Sequence, residues 1–355
     1  MRRLSCLLAL CLTLTSGCSA FVPNSRDELI GRWEGSALFR SATTSMVLIV
    51  GRSADSSLVA HLSAPEWLVL EEAVDSLVWE APRVRFSLPR LDPPLRFEGF
   101  ARAGRISGRF DSPAFPRLER VESQAKVALR RTASVPPMTS SEHVRLQSSQ
   151  GDINATLRYP ADLLTHPALV LLAVHSSTMQ RHQQALADTF ARAGWVTLVV
   201  DAPVDESAAS ATVALRWLAA HQRVDGHVGV WVHASAQQIA ASLPVGAPLS
   251  FVVSVSGVAE TGSRVPTLMV RGARDDSRTE ASVVETNLPR HHVFPGADHE
   301  LRLRVRGDEP FEWPRVAPGY IDTLLAWTGR VVGLAPRSAW PDSAVPKLEL
   351  RPGWR

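Results

Sequence analysis

Lysine is almost absent from this chain. Lys126 and Lys347 are the only two, so the small formal charge of +3 rests on arginine. Cysteine is as scarce: Cys6, Cys11 and Cys18 all lie close to the N-terminus. The rest of the chain therefore has no means for a disulfide framework, thiol catalysis or a cysteine metal site. The sequence shows no dense basic patch interleaved with aromatics, so nucleic acid is not an expected partner. The apolar run from Leu4 to Leu14 is too short to be a permanent bilayer anchor. Against these absences stand 355 residues that are 45% apolar, enough for two domains with real cores.

The N-terminus has the layout of an export signal. Arg2-Arg3 supply a charged start, Leu4 to Leu14 an apolar centre, and Leu14-Thr15-Ser16-Gly17-Cys18 a stretch ending in small residues. Small residues ahead of a cysteine resemble the lipobox of bacterial lipoproteins, whose cysteine is acylated and becomes the mature N-terminus. Thr15 stands where that family usually has leucine. The resemblance implies a signal peptide over 1–17, lipidation at Cys18, a tether over 18–28 and a membrane partner reached through the lipid. Ser19 implies the periplasmic side of the outer membrane. Plain secretion with cleavage near Ala20 is the alternative.

From 29 to 132 the chain reads as short strands: Leu29 to Gly35, Met46 to Val50, Leu58 to Leu62, Val84 to Leu88 and Leu95 to Phe110. Val84, Phe86 and Leu88 alternate with Arg83, Arg85 and Ser87, which is strand periodicity. Ala103-Gly104 reads as a hairpin turn. This is the pattern of a small all-β barrel or sandwich. Residues 133–141, with Pro136-Pro137, read as a linker.

Past the linker, from 142 to 334, strands alternate with helices, which predicts an α/β domain on a mainly parallel sheet. His143 to Gln147 and Ile153 to Tyr159 read as an antiparallel pair. Strands follow over Ala168 to Val174, Val196 to Val200, Val228 to Val232, Ser250 to Val255 and Pro266 to Val270. Helices are predicted over Gln183 to Ala193, Ser207 to Gln222, from the elbow to Leu243, and from Tyr320 to about Val332. The proline-bearing tail over 335–355 reads as irregular.

Four segments of this domain resemble the α/β-hydrolase superfamily, in its dienelactone-hydrolase and esterase-like branch. They are Ala214-Leu-Arg-Trp-Leu218 with Val224-Asp225 and Val228-Gly-Val-Trp231; Pro266 to Asp275; Val293-Phe-Pro-Gly-Ala-Asp-His299; and Pro318 to Trp327. The resemblance implies an α/β-hydrolase fold without a lid, because few residues separate Ser256-Gly257 from Val265-Pro266. The opening Gly-Arg-Trp-Glu-Gly and the hairpin around Ala103-Gly104 resemble a β domain found ahead of some bacterial members.

The chemistry of that family needs a hydroxyl made nucleophilic by a base, an acid to orient the base, and donors for the oxyanion. In the family order of Ser, acid, His, the resemblance gives the acid to Asp275 and the base to His299. Ser235 is the serine on offer, and the N–H groups of Ser176 and Ala236 would hold the oxyanion. No cofactor is implied. His291, His292, Asp298 and His299 lack metal-ligand spacing, so no metal site is expected.

The elbow departs from the Gly-x-Ser-x-Gly pattern. Aligned on Gly229-Val230-Trp231 and Ile239-Ala240, the nucleophile place holds Ala234, with Val232 and Ala236 in the glycine places. Taking Ser235 as nucleophile instead puts His233 and Gln237 where strand and helix approach most closely. Ser176 also replaces the glycine of the oxyanion loop. The reading that results is a catalytically degraded relative with a binding or structural role in the cell envelope. Its alternative is an active serine hydrolase of esters or related acyl groups, so the ligand is either a small ester substrate or an envelope molecule.

Overall fold

The computed structural model describes residues 26–39, 42–67, 69–88, 95–111, 124–133, 139–148, 151–172, 177–201, 207–233, 243–244, 246–256, 265–273, 290–303 and 315–334. Among them, no helix is long and apolar enough to cross a membrane.

The N-terminal half is one antiparallel sheet of nine strands. They are β1 (Gly31–Phe39), β2 (Ala42–Arg52), β3 (Leu58–Ala64), β4 (Val69–Ala73), β5 (Asp75–Glu80), β6 (Arg83–Leu88), β7 (Leu95–Arg102), β8 (Arg105–Asp111) and β9 (Ala125–Thr132). Their order is β4-β3-β2-β1-β9-β8-β7-β6-β5. The hairpin at Ala103-Gly104 forms as expected, with both residues at positive φ, 48° and 68°. β4, β5 and β9 lie where the pattern of apolar residues gave no strand. β5 is an edge strand that buries no residue, and β9 carries three basic residues among its eight. Inside the sheet, Phe86 stacks on Phe97 at 4.6 Å and Phe110 meets both rings. Room for these rings comes from Gly99 opposite Gly108. A Cβ on either would sit 2.6–2.7 Å from the tip of the Phe97 ring.

The second sheet has β10 (Thr139–Ser148), β11 (Gly151–Pro160), β12 (His166–Leu172), β13 (Val196–Asp201), β14 (Val224–His233), β15 (Phe251–Val255), β16 (Thr267–Gly272) and β17 (Arg290–Phe294). Its order is β10-β11-β13-β12-β14-β15-β16-β17. β11 runs antiparallel to both neighbours, and from β13 to β17 every pairing is parallel. β10 starts at Thr139, so the last residues of the stretch read as linker are strand. His291-His292, which the sequence leaves as loop or strand start, lie at the start of β17. A short pair, β18 (Arg302–Leu303) with β19 (Arg315–Val316), follows β17.

Helices α1 (Ser177–Arg192), α2 (Ser207–Ala219) and α3 (Tyr320–Val331) cover the sheet. All seven residues of β12 are buried, the mark of a strand covered on both faces. Leu169 and Leu171 join Leu186 and Phe190 of α1 and Leu324 of α3; Ala168, Val170 and Leu172 join Leu215 and Leu218 of α2. The period of two along the strand therefore sorts its side chains between two cores. The helix expected up to Leu243 falls largely outside the described residues. The two halves touch where α1 meets β4 and the short turn Pro65–Trp67, with Leu70 packed against the α1–α3 core.

Candidate functional site

Parallel strands place their following loops at one edge of the sheet, and His233, Ser256 and Gly272 lie there at the ends of β14, β15 and β16. β14 pairs with β15 through His233 opposite Val255. Trp231 faces the α1–α3 core while Val230 and Val232 face α2. Two residues on from Trp231, His233 continues on the α1–α3 face. Ala234, Ser235 and Ala236 come next in the chain and lie outside the described residues, as do Ser176, Asp275 and Cys18.

His299 is described, and its side chain is exposed. The loop carrying it is held by its backbone. The Ser256 hydroxyl donates to the His299 carbonyl at 2.6 Å, and His233 Nε2 lies 3.2 Å from the same oxygen. A carbonyl only accepts, so Nε2 carries the proton and the His233 tautomer is fixed. Ser256 makes its contact from the left-handed region, φ 54°, at the end of β15. Gly272, closing β16, packs beneath the same loop. A Cβ there would lie 2.2 Å from the carbonyl oxygens of Ala297 and of Asp298. Asp298 shapes the turn itself, with Oδ1 accepting from the amides of Glu300 at 2.9 Å and Arg302 at 3.0 Å. The ends of β14, β15 and β16 thus converge on the main chain of one loop.

Below the loop lies a histidine that sequence reasoning missed. His182 of α1 is 1% exposed. Neither ring nitrogen has a hydrogen-bond partner among the described residues. Its ring lies 5.8 Å from Trp231 and 5.9 Å from Tyr320, and the Trp231 indole donates to the Tyr320 hydroxyl at 3.2 Å. Burial pushes the imidazole down to about 3, with the charges of Arg302 and His233 adding to the effect, so it is neutral near pH 7. Burial also raises the Tyr320 phenol, which stays protonated. The spacing of His182, Leu186 and Phe190 at four-residue intervals could have placed His182 on the buried stripe. Its polarity hid it.

No family model matches the chain, and no curated protein matches it either. Solved structures do. A dienelactone hydrolase from Anabaena variabilis is 18% identical with a TM-score of 0.41, covering 56% of this chain and 100% of its own. A dienelactone hydrolase-like promiscuous phosphotriesterase from metagenomic libraries is 14% identical with a TM-score of 0.40, covering 55% and 97%. A cold-adapted esterase from an Arctic intertidal metagenomic library is 13% identical with a TM-score of 0.35, covering 46% and 86%. These likenesses concern the fold; the reactions in their names belong to those proteins. Among the described residues no group of three or more His, Cys, Asp or Glu side chains is placed to hold a metal ion.

Proposed function

We propose that this chain is an envelope lipoprotein of α/β-hydrolase fold that has lost ester hydrolysis and serves a binding or structural role. One observation carries the reading. His233 is the last paired residue of β14, and the next residue, where the strand-to-turn geometry of the family puts its nucleophile, is Ala234. A methyl group cannot attack an acyl carbon. His233 itself is engaged with the His299 carbonyl, which suits a structural neighbour of the nucleophile place rather than a substitute for glycine. Lipidation at Cys18 and residence at the periplasmic side of the outer membrane complete the proposal, with the membrane as partner through the anchor.

The exposed His299 on its pinned loop favours a second reading, an active serine hydrolase. There Ser235 attacks an ester carbonyl, and His299 takes its proton and returns it to the leaving group. Asp275 orients His299, and the N–H groups of Ser176 and Ala236 hold the oxyanion. Labelling with a fluorophosphonate probe separates the two. The degraded protein stays unlabelled, whereas labelling that disappears in Ser235→Ala establishes the hydrolase.

A further inference from the structure

The antiparallel register of β6 to β9 gathers arginines that are scattered in the sequence onto one outer face. Arg102 of β7 stands opposite Arg105 of β8, which stands opposite Arg130 of β9. Two rows along, past Ser107, Arg109 faces Lys126. Arg83, Arg85 and Arg96 widen the face toward β6, and every one of these side chains is exposed. The carboxylates nearby are few. Glu80 pairs with Arg85 at 2.9 Å, Glu98 approaches Arg109 at 4.0 Å, Asp111 stands opposite Arg96, and Glu34 of β1, which pairs with Arg32, stands opposite Arg130. The cations exceed the carboxylates here by more than the +3 of the whole chain.

Like charges directly opposite each other in a sheet oppose folding. The row Arg102–Arg105–Arg130 is therefore not explained by stability, and none of its members has an ion-pair partner among the described residues. Beside it Phe100, opposite Arg83, is 46% exposed. A cationic face with a protruding aromatic fits an anionic bilayer surface: arginines meet lipid phosphates while the ring enters the interface. The placement agrees as well. Gly31, where β1 starts, follows Cys18 by a tether that reaches about 45 Å at most, so an acylated chain would keep this sheet next to the headgroups.

We propose that the outer face of β6–β9 docks on anionic phospholipid, with Arg102, Arg105 and Arg130 as its phosphate-binding row. The proposal rests on the envelope reading for its membrane but not on the acyl chain, so the two are tested apart. Mass analysis of Cys18 in protein extracted from membranes decides lipidation. Docking is read with the full chain carrying Cys18→Ser, by co-sedimentation with vesicles of phosphatidylglycerol in phosphatidylethanolamine and with phosphatidylcholine alone. Each cation is expected to contribute on the order of fivefold to partition. Arg102→Gln, Arg105→Gln and Arg130→Gln together should therefore weaken binding to the anionic vesicles roughly a hundredfold at low salt and leave phosphatidylcholine binding unchanged. The triple lysine variant at the same positions should keep anionic binding, which guards against a folding artefact, and Phe100→Ser should lower it several-fold. Equal partition of parent and glutamine variant onto anionic vesicles overturns the proposal. So does capture of the parent by heparin or duplex DNA but not by those vesicles.

Discussion

Removing His182 should make the α/β domain less sensitive to acid. The imidazole is fully buried and held down to about 3 in the folded protein, whereas an unfolded chain gives it an ordinary value near 6.5. Between those values the unfolded state binds the extra proton, so its population grows as pH falls. The group makes no demand above pH 6.5. Below it, stability drains at about 1.4 kcal/mol per pH unit, or roughly 2–3 kcal/mol by pH 4.5. In His182→Leu this contribution disappears. The substitution also removes two buried nitrogens that lack partners among the described residues, an exchange for an apolar group that is near neutral or stabilising by about 1 kcal/mol. The assay is urea unfolding followed by tryptophan fluorescence, since Trp231 touches the ring, at several values from pH 7 to pH 4.5. Every other titrating group is common to both proteins, so the difference in slope belongs to residue 182. Equal slopes, or a loss above about 2 kcal/mol at pH 7, would refute the assignment of His182 as a buried neutral group without partners.

Two further outcomes follow from the pinned loop. Gly272→Ala puts a methyl 2.2 Å from two carbonyl oxygens, so the loop must shift. A loss of about 2–4 kcal/mol is expected by thermal or denaturant unfolding. Ser256→Ala loses the hydroxyl bond to His299 but keeps a Cβ at φ 54°, costing about 1 kcal/mol. Ser256→Gly loses the same bond but relieves the backbone, by about 1 kcal/mol. Glycine should therefore be the milder change in unfolding experiments, and the reverse order would show that the strain is absent.

Much of the α/β half was legible because its strands are short apolar runs between turn residues. β12, β14 and β15 and the closing helix α3 lie close to their expected places. β17 was harder, since Arg290, His291 and His292 dilute its apolar signal. β5 was hidden because it buries no residue and rests on its pairing with β6. β9 buries Ala125, Val127 and Leu129 in alternation, a short period of two that its three basic residues obscured. The basic face was invisible in the linear chain, because its members are spread from Arg83 to Arg130 and only the register brings them together. At the site, Trp231 and His299 stood in recognisable phrases. Ser256, His233 and His182 did not, because each acts through a tertiary contact. Ser176, Ala234, Ser235, Ala236 and Asp275 lie outside the described residues, so their roles stay with the proposal.

The hydrogen bonds that Ser256 and His233 send to the His299 loop both end on the main-chain oxygen of His299, while the His233 ring also lies 6.2 Å from the His299 imidazole. The hydrogen-bonded part of this attachment is blind to the imidazole it displays. Substitution at 299 would leave the scaffold standing, so selection for shape and selection for reactivity can separate at this position without passing through an unfolded ancestor. The same independence makes the loop a ready platform for redesign: a side chain installed at 299 inherits a fixed perch that owes nothing to its chemistry.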